Sequence, residues 1–362
     1  MQVRMHRSPV SLLMIVLLIT SFLASCKKSI EEPPVGQDDR VTDQALISIG
    51  GNVWTELTPA APSIPTSVTF NMSFSVSNKL YSLVQANDQL WEYDPSTAAW
   101  SVKKNNFTGQ PTFTYVYLFT NGTSAYFMKQ STKEVKAYDF ATSQWGNKAS
   151  FPGTSSGAAS FSATATKGYI MGGTNGFDPD GYGYALKENW EYDFAANTWQ
   201  SKANLPGTGR YNAAAYAIGD KIYFGTGISI LTIINPNTFQ LYRSPVLNSD
   251  WWEYNTLTNT WTAKAAFGGG KRQDTRGFML GNKVYLGLGT SAYYSNIQSD
   301  LWSYDATANA WTQKASYPPG NGYPPYVTFT ACNGRGYAVT GNITAFWRYT
   351  PPQLIIPLPT NP

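Results

Sequence analysis

The segment LWEYDPSTAAW, from Leu90 to Trp100, recurs through the chain as VKAYDFATSQW, NWEYDFAANTW, WWEYNTLTNTW and LWSYDATANAW. Its tyrosines, Tyr93, Tyr138, Tyr192, Tyr254 and Tyr304, are 45, 54, 62 and 50 residues apart, and each is followed seven residues later by a Trp. A register that survives insertions of differing length between its copies belongs to a structural unit that is built several times over.

A second recurring element lies upstream of the later copies: KGYIMGG, DKIYFGTG, NKVYLGLG and GRGYAVTG. Further upstream sits a third, GAASFSATA, NAAAYAI, RGFMLG and VTFTAC. One unit therefore reads strand, tight turn, strand ending in glycines, loop, aromatic strand, turn, Trp strand. Aromatics make up 15% of the 362 residues and charged residues only 13%, with 31 Gly and 22 Pro, which favours an all-β chain rich in turns. Four strands at a period near 50 predict the blade of a β-propeller.

The ends set the number of blades. The aromatic phrase occurs a sixth time as FWRYT, Phe346 to Thr350, but Ile356 stands where the following Trp belongs, flanked by Pro351, Pro352, Pro357 and Pro359. Prolines on both sides do not suit a central strand. NVWTELTP, near the start of the repeats, is a Trp strand with no aromatic phrase before it. Pairing the strand of Trp54 with that of Trp347 closes a six-bladed ring and removes an exposed edge.

The glycine pair, the WEYD strand and the Trp nine residues after the phrase's first Trp resemble the kelch-repeat family, over Gly50 to Thr350. The resemblance implies a kelch-type propeller like the central one of galactose oxidase. That enzyme's copper is held partly by His, however, and the only His here is His6, within the leader. Its activity does not carry over, and Ser–His–Asp catalysis and His-ligated zinc are excluded on the same ground. We expect no catalytic residue, cofactor or metal.

Within the phrase, Trp91, Trp190, Trp252, Trp302 and Trp347 suit packing in the wedge between blades. Asp94, Asp139, Asp193 and Asp305 are placed to accept backbone N–H groups in the following turn, with Asn255 and Thr350 in the same slot. Cys332 aligns with Leu280 and Ile218, which predicts a buried apolar position. DPDG (178–181) opens like a calcium loop but places Asn189 where the twelfth-position acid belongs, so it reads as a turn. GGGKR (268–272) lacks the spacing of a phosphate-binding loop.

Residues 1–25 read as a signal peptide: a basic MQVRMHR, then the apolar run VSLLMIVLLITSFL. LASC resembles a bacterial lipobox, which implies lipidation of Cys26 and membrane attachment through that lipid. Residues 26–49 follow as a charged flexible tether, 50–350 as the propeller and 351–362 as a Pro-rich tail. Lys27 stands where an Asp signals inner-membrane retention, and IEE resembles acidic export tags, so we expect an outer-membrane lipoprotein of the cell envelope, periplasmic or surface-facing. Of the 26 Lys+Arg, Arg4 and Arg7 fall in the leader, leaving 24 against 22 Asp+Glu, a balance that does not suggest nucleic acid.

Strand alternation assigns two faces. First-to-second and third-to-fourth turns share one, and they are short and alike: GDK, GNK, DFAANT, DATANA. Second-to-third and blade-to-blade loops share the other, and they are long and individual. On that face the candidates for ligand contact are Arg276, Arg272, Arg210, Tyr211, Tyr182, Tyr184, Arg243, Tyr293, Tyr294, Tyr323 and Tyr326. Arg210 and Arg272 align with each other, so a role in the repeat competes with one in binding. Arg276 has no counterpart and falls on a channel-lining strand. These residues suit a module that binds glycan or protein. A sugar epimerase or mutarotase, for which kelch-like six-bladed precedent exists, and a structural envelope-assembly protein are the alternatives.

Overall fold

A computed structural model describes residues 51–57, 71–84, 88–109, 115–155, 157–234, 236–237, 239–318, 327–340 and 346–352. The leader, Cys26 and its tether, and Tyr323 and Tyr326 lie outside them. The described residues are all-β, in six four-stranded antiparallel sheets arranged as a six-bladed propeller.

Strand β1 (Val53–Glu56) opens the described chain. The first blade is β2 (Asn71–Val76), β3 (Lys79–Val84), β4 (Gln89–Asp94) and β5 (Ala99–Lys104). The second is β6 (Tyr115–Thr120), β7 (Ser124–Lys129), β8 (Val135–Asp139) and β9 (Gln144–Lys148). In the third, the hairpin β12 (Thr174–Phe177) and β13 (Gly183–Ala185) is inserted among β10 (Ser160–Ala163), β11 (Lys167–Met171), β14 (Asn189–Asp193) and β15 (Thr198–Ser201). The fourth inserts β18 (Ile228–Ile234) and β19 (Leu241–Leu247) among β16 (Ala214–Ile218), β17 (Lys221–Gly225), β20 (Trp251–Asn255) and β21 (Thr260–Lys264). The fifth inserts β24 (Thr290–Ala292) and β25 (Ser295–Ile297) among β22 (Arg276–Leu280), β23 (Lys283–Gly287), β26 (Leu301–Asp305) and β27 (Ala310–Lys314). The sixth is β28 (Val327–Cys332), β29 (Arg335–Thr340), β30 (Phe346–Thr350) and β1.

Closure is as the sequence predicts. β1 pairs antiparallel with β30, matching Trp54 with Tyr349 and Glu56 with Trp347. Three second-to-third connections read as loops are instead hairpins. In β18 the run ISILTII supplies the β-branched residues that extended backbone favours, and it finds its partner in β19 by doubling back.

The repeated phrase acts at the seams between blades. Its Tyr is buried in every copy, and Tyr192, Tyr254, Tyr304 and Tyr349 are fully buried. Each ring meets an aromatic of the preceding blade's second strand: Tyr192 with Tyr126 at 5.7 Å, Tyr254 with Tyr169 at 6.0 Å, Tyr304 with Tyr223 at 5.4 Å, Tyr349 with Tyr285 at 5.5 Å. This refines the reading of the first Trp. Trp91 is buried, but Trp190, Trp252, Trp302 and Trp347 are only half-buried. The first three of these lie near the long-loop face, each indole N–H donating to the residue two before it, as in Trp252 to Asp250 at 2.7 Å. The centre of the wedge belongs to Tyr.

The second Trp stitches blade to blade. Its indole N–H donates to a carbonyl at the exit of the preceding blade: Trp145 to Phe107, Trp199 to Ala149, Trp261 to Ala203, Trp311 to Ala265 and Trp54 to Ala315, all at 2.8–3.0 Å. Two residues before it, Asn197, Asn259, Asn309 and Asn52 hold a left-handed conformation that Asn tolerates well. Each accepts from the phrase's tyrosine hydroxyl and from a backbone N–H of the preceding blade. The predicted turn caps are present as well: Asp139 accepts from Ala141 and Thr142, Asp193 from Ala195 and Ala196, Asp305 from Thr307 and Ala308. Cys332 is buried, and burial pushes its thiol up to about 11.

Candidate functional site

The six first strands β2, β6, β10, β16, β22 and β28 surround a central cavity of about 750 Å³. Its wall is mostly small side chains, among them Ala159, Ser160, Ala213, Ala214, Ala215 and Thr328, with phenylalanines such as Phe161 and Phe329 interspersed. Small residues on the inner strands keep the channel open where bulkier ones would fill it.

Among the described residues that line the cavity, Arg276 is the only charged one. It opens β22 and is half-buried, and pairing in the sheets aligns it with Ser160, Ala214 and Thr328 in other blades. Its guanidinium donates to its neighbour's carbonyl, Thr275 O, at 3.3 Å. Among the described residues it has no carboxylate within 4 Å, unlike Arg210, Arg243 and Arg272.

Arg210 and Arg272, which align with each other, are built into the frame. Arg210 and Arg272 are each 3% exposed. Arg210 forks onto both oxygens of Asp250, at 2.5 and 2.9 Å, and donates to Thr226 O. Arg272 forks onto Asp300, at 2.7 Å through Nη2, and also reaches Leu288 O and Gly269 O. The same aspartates accept from Trp252 and Trp302, so each pair ties a blade-to-blade loop to the aromatic strand. Arg243 is a clasp: it pairs with Asp178, donates to Gly183 O at 3.0 Å and covers the Tyr184 ring at 4.8 Å, joining hairpins β12–β13 and β18–β19. Asp178 also accepts from Tyr182 N, which makes DPDG the turn that the sequence suggests.

Around the channel mouth the backbone forms an arc. Asn212 N donates to Ala158 O and Asp274 N to Asn212 O, and all three residues are left-handed. Asn212 reaches both Asp274 and the Tyr294 hydroxyl, at 3.4 and 3.3 Å. Burial pushes the Asp274 carboxyl above its usual range, with Arg276 pulling the other way. Tyr293 stacks edge-on against Tyr294 at 4.6 Å and lies 5.9 Å from Tyr182. Tyr211 is buried beneath them, its ring occupying the space that a Cβ on Gly183 would crowd at 3.0 Å. The structure thus brings Tyr182, Tyr211, Tyr293 and Tyr294 together and sets Arg243 and Tyr184 to the side.

Sequence reasoning missed Asp274, Asn212 and Tyr216. Tyr216 lines the cavity, and burial pushes its hydroxyl above the usual phenol range while Arg276 lowers it. Its signal was a lone aromatic within the alanine run of an inner strand. The phrase's buried glutamates are structural. Glu92, Glu191 and Glu253 accept from Tyr81, Tyr169 and Tyr223 at 2.9, 2.6 and 2.8 Å. Burial opposes the charge on Glu253, but Lys221, Tyr223 and Lys264 outweigh it and hold the carboxyl below its usual range.

No family model matches the chain, and no curated protein matches its sequence. Among solved structures, the one titled "Structure of YjhT" is similar at a TM-score of 0.50 and 17% identity, over 68% of this chain and 84% of that one. At that identity the likeness is one of fold.

Proposed function

We propose that the chain is an outer-membrane lipoprotein whose kelch-type propeller binds a glycan or a protein at the channel mouth on its long-loop face. One observation carries the reading: a single arginine without a carboxylate partner lines a cavity of small side chains, below a rim of tyrosines. An arginine in that setting has donors to spare for a ligand, and tyrosines offer flat faces and hydroxyl edges. Arg210 and Arg272 support the frame in this reading, and contact falls to Arg276, Tyr182, Tyr293 and Tyr294. The mutarotase or epimerase alternative draws on Asp274 and Tyr216 beside Arg276 as proton-transfer groups.

A glycan array and an envelope-lysate pull-down with a chain beginning at Lys27 identify the ligand. Arg276→Ala and the Tyr293→Ala/Tyr294→Ala double variant should then each weaken binding by about 2 kcal/mol, or roughly thirtyfold, with melting little changed. Thr256→Ala and Asn282→Ala, the first half-buried and the second exposed on the short-turn face, should leave affinity at the parent value. Loss of binding in these two, with Arg276→Ala unaffected, overturns the placement.

Anchoring is tested separately. Cys26→Ser should release the protein from stable membrane attachment, because lipidation at this residue supplies the anchor in this reading. A variant that pellets with membranes after high-salt and carbonate washes as the parent does would count against the lipobox.

A further inference from the structure

Hairpin β18–β19 is unlike the other two inserted hairpins. Its strands are seven residues each, so the ribbon is about 23 Å long at ~3.3 Å per residue. Its base is buried at Ile228 and Ser229, and its far end is apolar and exposed: Phe239 is 83% exposed, Leu241 68% and Ile234 59%. From Ile228 to Tyr242 there is no charged residue. The first charge beyond, Arg243, is turned toward Asp178 and the neighbouring hairpin.

Register shows how these side chains are disposed. Ile234 pairs with Leu241 and Ile233 with Tyr242, and neighbouring pairs of a ladder point to opposite sides. Apolar side chains are therefore exposed on both faces of the ribbon, with Phe239 beside the turn. A flat protein partner covers one face of such a ribbon, whereas a lipid phase surrounds it. Phe239 also holds φ +54°, a conformation strained for a bulky side chain and relaxed for Asn or Gly. An exposed aromatic is thus kept where local backbone energetics disfavour it.

We propose that the tip of β18–β19 inserts into the interfacial region of a lipid bilayer, through apolar contact and without need of anionic headgroups. Interfacial insertion of apolar side chains to about 5–10 Å is within the ribbon's reach. The proposal rests on the lipid-anchor reading in one respect, the nearness of a bilayer. Residues 26 to 50 could span at most about 90 Å if fully extended, which keeps the propeller within reach of the surface. The hairpin then supplies a second contact that orients the propeller.

The test uses the chain beginning at Lys27, which retains all thirty strands of the described residues and carries no lipid, so that it fails or succeeds independently of the anchor. The parent should co-sediment with phosphatidylcholine vesicles equally at about 0.1 M and about 1 M salt, since screening weakens only charged contacts. Phe239→Asn/Leu241→Ser should lower the partition coefficient at least about tenfold, through the lost apolar burial. Phe239→Asn alone should weaken vesicle binding while melting at or above the parent temperature, a pairing of signs that misfolding does not produce. A parent that stays in solution, or a double variant that sediments as the parent does, overturns the proposal. So does binding abolished by salt. A concentration-dependent dimer in the absence of lipid, lost in Phe239→Asn, overturns it in favour of a second copy of this chain.

Discussion

Deleting Val53–Glu56 should abolish the cooperative unfolding transition of the propeller and drive it to aggregate. Deleting residues 354–362 should leave the transition where it is. The first deletion strips the sixth blade of its outer strand and leaves β30 with an unpaired edge. It also removes Trp54, whose ring lies 5.2 Å from Tyr349, 5.4 Å from Tyr317 and 5.5 Å from Phe329, and whose N–H is, among the described residues, the only indole stitch between the fifth and sixth blades. The milder Trp54→Ala should cost about 3–5 kcal/mol as a large-to-small change in a packed core. At roughly 2–4 °C per kcal/mol for a chain of this size, melting falls by about 10 °C. Scanning calorimetry reads both. Equal melting temperatures for the two deletions would show that the ring does not close through β1.

Arg272→Ala should be nearly as damaging, although its main loss is a charge pair and its contact with the core is confined to the Phe267 ring, 5.5 Å from the guanidinium. It leaves the Asp300 carboxylate, 18% exposed, without its cation, and leaves Leu288 O and Gly269 O without their donor. Breaking a buried pair from one side costs about 3–5 kcal/mol, and the partial exposure of Asp300 places this one at the lower end. Arg272→Met/Asp300→Leu should recover part of the loss, because an apolar pair of similar volume avoids an uncompensated charge. The recovery is partial, since Asp300 also accepts from Trp302. Ligand affinity, measured on the folded fraction, should stay near the parent value. A variant that melts normally but fails to bind would return Arg272 to the contact set.

The blades were legible in the sequence because a blade is a local object. Its strands follow one another, its turns need Asp or Asn at set positions, and six copies repeat the message. The mismatch between FWRYT without a Trp and NVW without a phrase even disclosed the closure. NTW, NTW, NAW and NVW, each with Asn two residues before the Trp, were readable too, but their purpose shows only once Asn309 is seen bonded to Ala265 of the preceding blade.

What the sequence by itself determined is the fold class, the number of blades, the closing strand and the assignment of loops to two faces. Only tertiary structure decided between frame and contact for Arg210 and Arg272. Arg276, without a repeat counterpart, already stood apart along the chain, whereas Arg210 and Arg272 are buried because Asp250 and Asp300, 40 and 28 residues further on, arrive beside them. No spacing rule encodes that meeting: a pairing across a hairpin of variable length depends on where the ribbon returns. The same holds for the channel mouth, where Asn212, Asp274 and Tyr294 come from two blades and three loops. Strand order is written in neighbouring residues, whereas a site at the hub of a ring is assembled from parts that are neighbours only after the ring has closed.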